Sequence, residues 1–395
     1  MSWEQVKLGD IFEIARGGSP RPIDQYITDD PNGLNWISIK DASNSSKYIY
    51  KTEKKIKPEG LHKTRLVHPN DFLLTNSMSF GRPYIMKTTG CIHDGWLVLS
   101  ADKTKVDTDY FYHLLGSDFM YRKFTGLAAG AVVKNLNTEL VKSVSVPLPP
   151  LAEQRRIASI LDQADELRQK RQQAIEKLDQ LLQATFIDMF GDPVSNPKGW
   201  EIGSLNNYGS YKNGLNFGKG ESGNQVLYIG VGDFKQLSKI DDVSKLSTID
   251  LDELPSVDYF IKNGDLLFVR SNGNKELVGR CIAVYPNEKL VTYSGFCIRY
   301  RIEKSELTSS YLVHLFRSKS FKQTIFDGGQ GANIQNINQQ LLSRLQIPIP
   351  PKDLQEKWSN IVLKIEDQKL KFDQHLKMQN QLFASLQNQA FNGTL

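Results

Sequence analysis

Two stretches of this chain open alike, 201 residues apart, and they limit the possible fold more than any other feature. The first runs from Pro147 to Asp192. Pro149 and Pro150 suit the entrance of a helix and not its interior. Gly191-Asp192-Pro193 is a stop signal. Between them Ile160, Ala164, Leu167, Arg171, Ala174, Leu178, Leu181 and Thr185 step in alternating fours and threes. That spacing is the seam of a coiled coil with one charged break at Arg171. About 40 helical residues make a rod of about 60 Å. The second stretch runs from Pro348 to Gly393. Pro147-Leu148-Pro149-Pro150 is answered by Pro348-Ile349-Pro350-Pro351, and Gln154 by Gln355. At the far end Leu181, Phe186 and Gly191 are answered loosely by Leu386, Phe391 and Gly393. The second seam is Ile361, Ile365, Phe372, Leu382 and Leu386, interrupted by Gln368 and Gln379. Neither seam is well filled alone, so the rods are expected to pair with each other or with a partner helix.

The stretches before the rods repeat as well. Trp3 is answered by Trp200, and the turn at Arg16-Gly17 by Lys212-Asn213-Gly214. Trp36 to Asp41 is answered by Tyr228 to Asp233, and Asn70 to Leu74, a turn entering a buried strand, by Asn263-Gly264-Asp265-Leu266-Leu267. Gly81-Arg82 is answered by Gly279-Arg280. A helix capped by Thr108 and running to Phe124 is answered by one starting at Ser310. Small-residue loops, Ala128 to Ala131 and Gly331 to Asn333, precede the last strand of each half. The chain is therefore a tandem duplication of an α+β globular part and a helical rod. The boundaries fall at 1–146, 147–192, 193–346 and 347–395. A shared frame with divergent loops is the pattern of two binders for two different targets.

The net charge of +5 is spread unevenly. Residues 1–146 and 193–346 carry +3 each, the first rod −2 and the second +1. Globular parts that meet a polyanion and rods that meet protein fit this spread. Lys40 to Arg65 holds 8 Lys/Arg against 3 Asp/Glu, interleaved with Tyr48 and Tyr50, a mixture suited to phosphate contact. A solvated loop would have the same composition. Cys91, Cys281 and Cys297 have no paired spacing, which argues against a disulfide framework or a zinc site. No apolar run reaches 18 residues and the first residues lack a signal core, so a cytoplasmic protein with no membrane partner is expected.

Catalytic constellations are weak. Gly214 to Lys219 is one residue short of a phosphate loop, and Gly220 stands where a hydroxyl would hold magnesium. Gly328-Gly329-Gln330-Gly331 does not follow a strand and open a helix. His93-Asp94 are neighbours that point apart on a strand.

The rod entrance Pro147-Leu-Pro-Pro-Leu-Ala-Glu-Gln154, its echo at Pro348 to Gln355, the Trp3…Leu8-Gly9-Asp10 start and Gly17-Gly18-Ser19-Pro20 together resemble the specificity subunit of type I restriction–modification enzymes. The resemblance covers essentially the whole chain. Its departures lie in the second copy, with Asp353-Leu354-Gln355-Glu356 at the rod entrance and no Gly-Gly-Ser-Pro form. It implies two target-recognition domains separated by two long antiparallel coiled-coil spacer helices. Each domain reads one half of a split double-stranded DNA site, and the helices set the gap. It further implies two methylation subunits that methylate adenine N6 and two restriction motor-nuclease subunits, in a phage-defence system. S-adenosylmethionine, ATP and magnesium are then expected on those partners, with no cofactor, metal or catalytic residue on this chain. Candidate DNA contacts are Arg16, Lys40, Lys47, Lys54, Arg65 and Arg82 in the first half. In the second they are Lys212, Lys219, Arg270, Lys275, Arg280, Gln330 and Asn333. Glu153, Gln154, Arg155 and Gln355 are candidates for partner binding. Two other readings compete: a stand-alone nuclease or methyltransferase, and a paired-helix scaffold whose heads hold sugars or peptides.

Overall fold

The computed structural model describes residues 3–76, 81–128, 136–218, 220–234, 238–327 and 336–395, without the side chains of residues 128, 275 and 327. Among the described residues no helix is long and apolar enough to cross a membrane. The chain forms two compact units, residues 1–172 with 374–395, and residues 173–373. The two rods, Leu151–Phe190 and Lys352–Asn392, are unbroken helices of 40 and 41 residues, and each contributes one half to each unit.

The head of the first unit is built on a five-stranded sheet in the order Phe12–Arg16, Trp96–Ala101, Phe72–Thr75, Pro83–Met86 and Tyr48–Ile49. Its central strands are antiparallel, with Val98 opposite both Ala15 and Leu73. One face packs on the helices and the first rod through Leu74, Ile85, Phe111, Leu114 and Leu161. The other buries Leu73, Tyr84, Met86 and Trp96. Strands buried on both faces explain why 72–74 and 96–99 read as continuous apolar runs and not as alternation. A second five-stranded sheet runs Ile27–Thr28, Lys54–Ile56, Leu34–Ile37, Gly90–Ile92, Arg65–Val67. Gln5–Lys7 pairs with Ser145–Pro147, closing the head at the rod entrance.

The second unit repeats this plan. Its main sheet runs Gly209–Asn213, Cys297–Ile302, Asp265–Val269, Cys281–Val284, Lys239–Ile240. Its second sheet has three strands, Ser247–Leu251, Asn224–Ile229 and Val291–Tyr293. Glu201–Ser204 pairs with Gln346–Ile349 at the rod entrance. The duplication extends to single hydrogen bonds. Tyr110 donates to the Pro147 carbonyl and Tyr311 to that of Pro348. Asn137 and Asn338 cap matching helices by accepting from the amides of Leu140 and Leu341. Asp41 and Asp233 accept from the amides of Ser38 and Gly230.

Within each unit the rod halves run antiparallel. In the first, Arg168 donates to Asn380 at 2.7 Å and lies 4.3 Å over the Phe383 ring, while Arg156 reaches the Leu395 carbonyl at 2.9 Å. In the second, Asp179 pairs with Lys369, and Phe186 meets Trp358 edge-on with centroids 5.4 Å apart. Each head is also gripped by the end of a rod. Trp3 donates its indole N–H to the Ala390 carbonyl, and Trp200 donates its own to that of Phe190. Phe391 packs 5.9 Å from Tyr110, and Phe190 4.9 Å from Tyr311. Phe391 therefore corresponds to Phe190 and not, as the sequence suggested, to Phe186.

Two further expectations are corrected. The rods bury Ile157, Leu161, Ile175, Leu182, Phe186 and Phe190 in one case and Trp358, Val362 and Phe391 in the other. Leu167, Leu181 and Leu382 of the expected seams are more than half exposed or at half, at 57%, 50% and 57%. In the first rod the seam is centred one residue later, and in the second Ile361, Ile365 and Leu386 pack as expected while Leu382 does not. The rods pack on the heads as well as on each other, which rewards a wider apolar stripe. The helix at 108 is capped by Asp107, whose carboxylate accepts from the amides of Asp109 and Tyr110, and it is two helices, Thr108–Leu115 and Asp118–Ala128. Ser117 causes the break: its hydroxyl donates to the Leu114 carbonyl at 2.6 Å and accepts from the Met120 amide.

Candidate nucleic-acid interface

Each head has a junction where its two sheets meet, and glycine makes the meeting possible. In the first head the strand ending at Arg16 passes into Gly17, whose amide donates to the Trp96 carbonyl. In the second, Gly214 follows Asn213 and its amide donates to Cys297. A Cβ on Gly17 would collide with the His93 backbone, and one on Gly214 with that of Ser294. The same turn is pinned alike from the other side. The Asn76 amide donates to the Gly95 carbonyl and the Asn76 carbonyl accepts from Leu136. The Arg270 amide donates to Phe296 and its carbonyl accepts from Ile337.

At the first junction three arginines gather on one carboxylate turn. Arg16 Nε donates to the Asp94 carbonyl at 2.9 Å, and Asn76 Nδ2 donates to the same oxygen at 2.7 Å. Ser19 donates to the Asp94 carboxylate at 2.9 Å, and Arg21 stands 3.6 Å from it with 80% of its side chain exposed. Arg65 Nε donates to the Arg16 carbonyl at 3.2 Å. The Ser19 hydrogen bond, aided by the Arg21 charge, holds the Asp94 carboxyl below the usual aspartate range. One carboxylate among three guanidinium groups leaves a cationic excess on an exposed surface, the arrangement that phosphates and guanine edges attract. His93 is structural here: its Nδ1 accepts from the Gly95 amide at 2.9 Å, and burial pulls its pKa below the ordinary value.

The structure sorts the remaining candidates. Lys40 is exposed and pairs with Glu53 at 2.9 Å, and Lys54 is exposed on a strand of the second sheet. Arg82 is exposed 5.2 Å over the Tyr84 ring, and Arg280 follows Gly279 at the matching place in the second head. Lys212 lies 4.2 Å over the Tyr259 ring and 3.6 Å from Asp258. Lys219, Gln330 and Asn333 lie outside the described residues, as does the side chain of Lys275.

Three candidates face inward. Lys47 packs at the base of the first head, 2.7 Å from Asp109 and 2.9 Å from Asp162 on the first rod, with 14% of its side chain exposed. Burial works against its charge, but the hydrogen bonds and charges of Asp109 and Asp162 outweigh it and raise its pKa above the lysine value. Its charge thus ties head to rod and is not offered to DNA. Gln154 and Gln355 are fully buried in place of facing a partner. Gln154 accepts from the Asp107 amide and donates to the Lys105 and Pro149 carbonyls, each at 2.8 Å. Gln355 accepts from the Thr308 amide at 2.9 Å and donates to Glu306 and Pro350 at 2.8 Å. Both are latches between rod entrance and head. Glu153 pairs with Arg156 at 2.7 Å, and Arg155 is 70% exposed beside Asp107. Arg21, Asn76 and Asp94 were missed by sequence reasoning, since only the fold brings residues 21, 76 and 94 to one turn.

Comparison with known proteins agrees with this architecture. A family model described as the type I restriction modification DNA specificity domain matches residues 1–177 and again 197–379. The type I restriction enzyme StySPI specificity subunit of Salmonella potsdam is 26% identical over 263 residues, covering 62% of this chain and 56% of that protein. The MjaIX specificity subunit of Methanocaldococcus jannaschii is 28% identical over 237 residues, covering 54% and 53%. The aligned region thus spans about half the length of these two relatives. A chain solved in work on complex assembly and conformational transition of the type I R-M system superposes with a TM-score of 0.63 at 17% identity, covering 100% of this chain and 98% of that one. At that identity the likeness is one of fold.

Proposed function

The chain belongs to the type I restriction modification DNA specificity domain family, matched twice along its length, and from that premise we propose that it is the DNA-recognition subunit of a type I restriction–modification complex. Each head reads one half of a split double-stranded site, and the length of the rods sets the gap between halves. The observation that carries the proposal is the duplicated junction: the same glycine crossing and backbone pinning in both heads, dressed with different side chains. Arg16, Arg21 and Arg65 act in the first head, and Arg270 and Arg280 in the second.

On this reading the chain is cytoplasmic and not catalytic by itself. Two methylation subunits dock along the rods, where Arg155 is exposed beside the half-buried Glu153, and two motor-nuclease subunits complete the complex. S-adenosylmethionine, ATP and magnesium act on those partners, where adenine N6 is methylated. This chain orients the duplex so that the target bases reach them.

The test is salt-dependent DNA binding by the chain together with its methylation subunits. Phosphate contacts release counterions, so affinity falls linearly on a log–log plot against salt, with a slope of about −0.9 per phosphate neutralised. Binding that is absent at low salt, or flat against salt, contradicts the reading and favours heads that hold a sugar or peptide.

A further inference from the structure

From the second junction we infer that Phe296 is a specificity-determining residue that reads a thymine through its C5-methyl group. This inference rests on the proposed DNA-reading function. From Val291 to Tyr300 every residue is buried except Phe296, which is 62% exposed. Exposing a phenyl ring there forgoes burial, and the shared backbone plan does not demand it, because the first head has Gly95 at the same place. The correspondence is fixed by the backbone: the Asn76 amide donates to the Gly95 carbonyl, as the Arg270 amide donates to that of Phe296.

The ring is presented by a rigid turn. The Phe296 amide donates to Ser294 Oγ at 3.1 Å, and its carbonyl accepts from Arg270 at 2.8 Å. The Gly295 amide donates to the Leu215 carbonyl at 2.7 Å, and a Cβ on Gly295 would collide with Asn216. An apolar group held this way loses little freedom on binding. The thymine methyl is the apolar feature of the major groove, and phenylalanine is among the side chains that contact it. Arg270, whose amide donates to the Phe296 carbonyl, supplies charge for the neighbouring phosphate or guanine. Among the described residues the first head, with Gly95 at the matching place beside Asp94 and three arginines, offers no counterpart. The two heads therefore use different chemistry, hydrogen bonding and charge in one and apolar contact in the other.

The test uses the complex with its methylation subunits. First, the methylated site of the unaltered complex is mapped. Then each thymine of the site is replaced in turn by deoxyuridine, which lacks only the methyl group, and binding is compared for the unaltered complex and Phe296→Ala. The expected result is an about fourfold loss at one thymine of one half-site, the worth of a buried methyl of about 0.8 kcal/mol. That loss disappears in Phe296→Ala, persists in Phe296→Leu, and is accompanied by relaxed methylation at that position alone. The inference is overturned if neither half-site contains a thymine, if deoxyuridine has no effect, or if Phe296→Ala keeps the sensitivity. It is also overturned if Phe296→Ala weakens all duplexes equally, which is the behaviour of a wedge between base steps. If the unaltered complex has no split site, the parent reading fails instead.

Discussion

Removing the Gln154 side chain by Gln154→Ala should destabilise the first unit by about 2–4 kcal/mol. The three bonds it makes end on the Asp107 amide and the Lys105 and Pro149 carbonyls. Three bonds at a net contribution of about 0.5–1.5 kcal/mol each bracket that range, and the orphaned buried partners hold the loss away from its lower end. Hydrogen exchange followed by mass spectrometry reads the effect locally, as faster exchange of the Asp107 amide and the turn around it. Gln154→Glu sharpens the argument. The new oxygen takes the place of Nε2 and faces two carbonyls, so the protonated acid is favoured and the folded pKa rises above the unfolded value of about 4.3. The stability of this variant is therefore retained below about pH 4.3 and lost as pH rises through the raised folded pKa, opposite to ordinary acid unfolding. A change of under about 0.5 kcal/mol for Gln154→Ala, together with failure to bind the methylation subunits, would refute the latch and restore Gln154 to a partner surface.

Gln355→Ala should have the same effect in the second unit, with faster exchange of the Thr308 amide. His314 is held by burial at about 4, below its ordinary value, and its ring lies 4.9 Å from that of Trp358. Its stabilising contribution is present above about pH 6.5 and is lost as pH falls through about 4, so the acid arm of Trp358 unfolding should flatten in His314→Gln. Lys47→Met should weaken the first unit by about 1–3 kcal/mol and leave DNA affinity unchanged, whereas Arg21→Ala should lower affinity and reduce the salt slope by about one. One helical turn added to each rod lengthens it by about 6 Å, close to two base pairs at about 3.4 Å each. The methylated site should then keep both half-sequences and widen its gap by about two base pairs.

The architecture was readable because duplication makes weak signals confirm each other. Pro149-Pro150 and Pro350-Pro351 mark the rod entrances to within a residue of where the helices begin. Glycine positions were also informative, since Gly17 and Gly214 answer to steric demands of the backbone. The seam of the first rod came out one residue off because periodicity alone cannot tell that a rod packs on a globular head, where Phe190 and Trp358 find their partners. Polar residues were read least well. Gln154 and Lys47 look like surface chemistry in sequence, but their partners, Lys105 in one case and Asp162 in the other, lie 49 and 115 residues away. The arginine cluster was half visible: Arg16 and Arg65 stood in basic, glycine-rich surroundings, whereas Arg21 and Asp94 meet only through the fold.

The central claim, two heads reading two half-sites, is tested most directly by single-molecule sequencing of methylated DNA. The chain is co-expressed with its methylation subunit in a host that lacks adenine methylation. The account predicts a split motif with N6-methyladenine in both halves and a fixed gap between them. A continuous motif, or a stable complex that leaves the genome unmethylated, would contradict it.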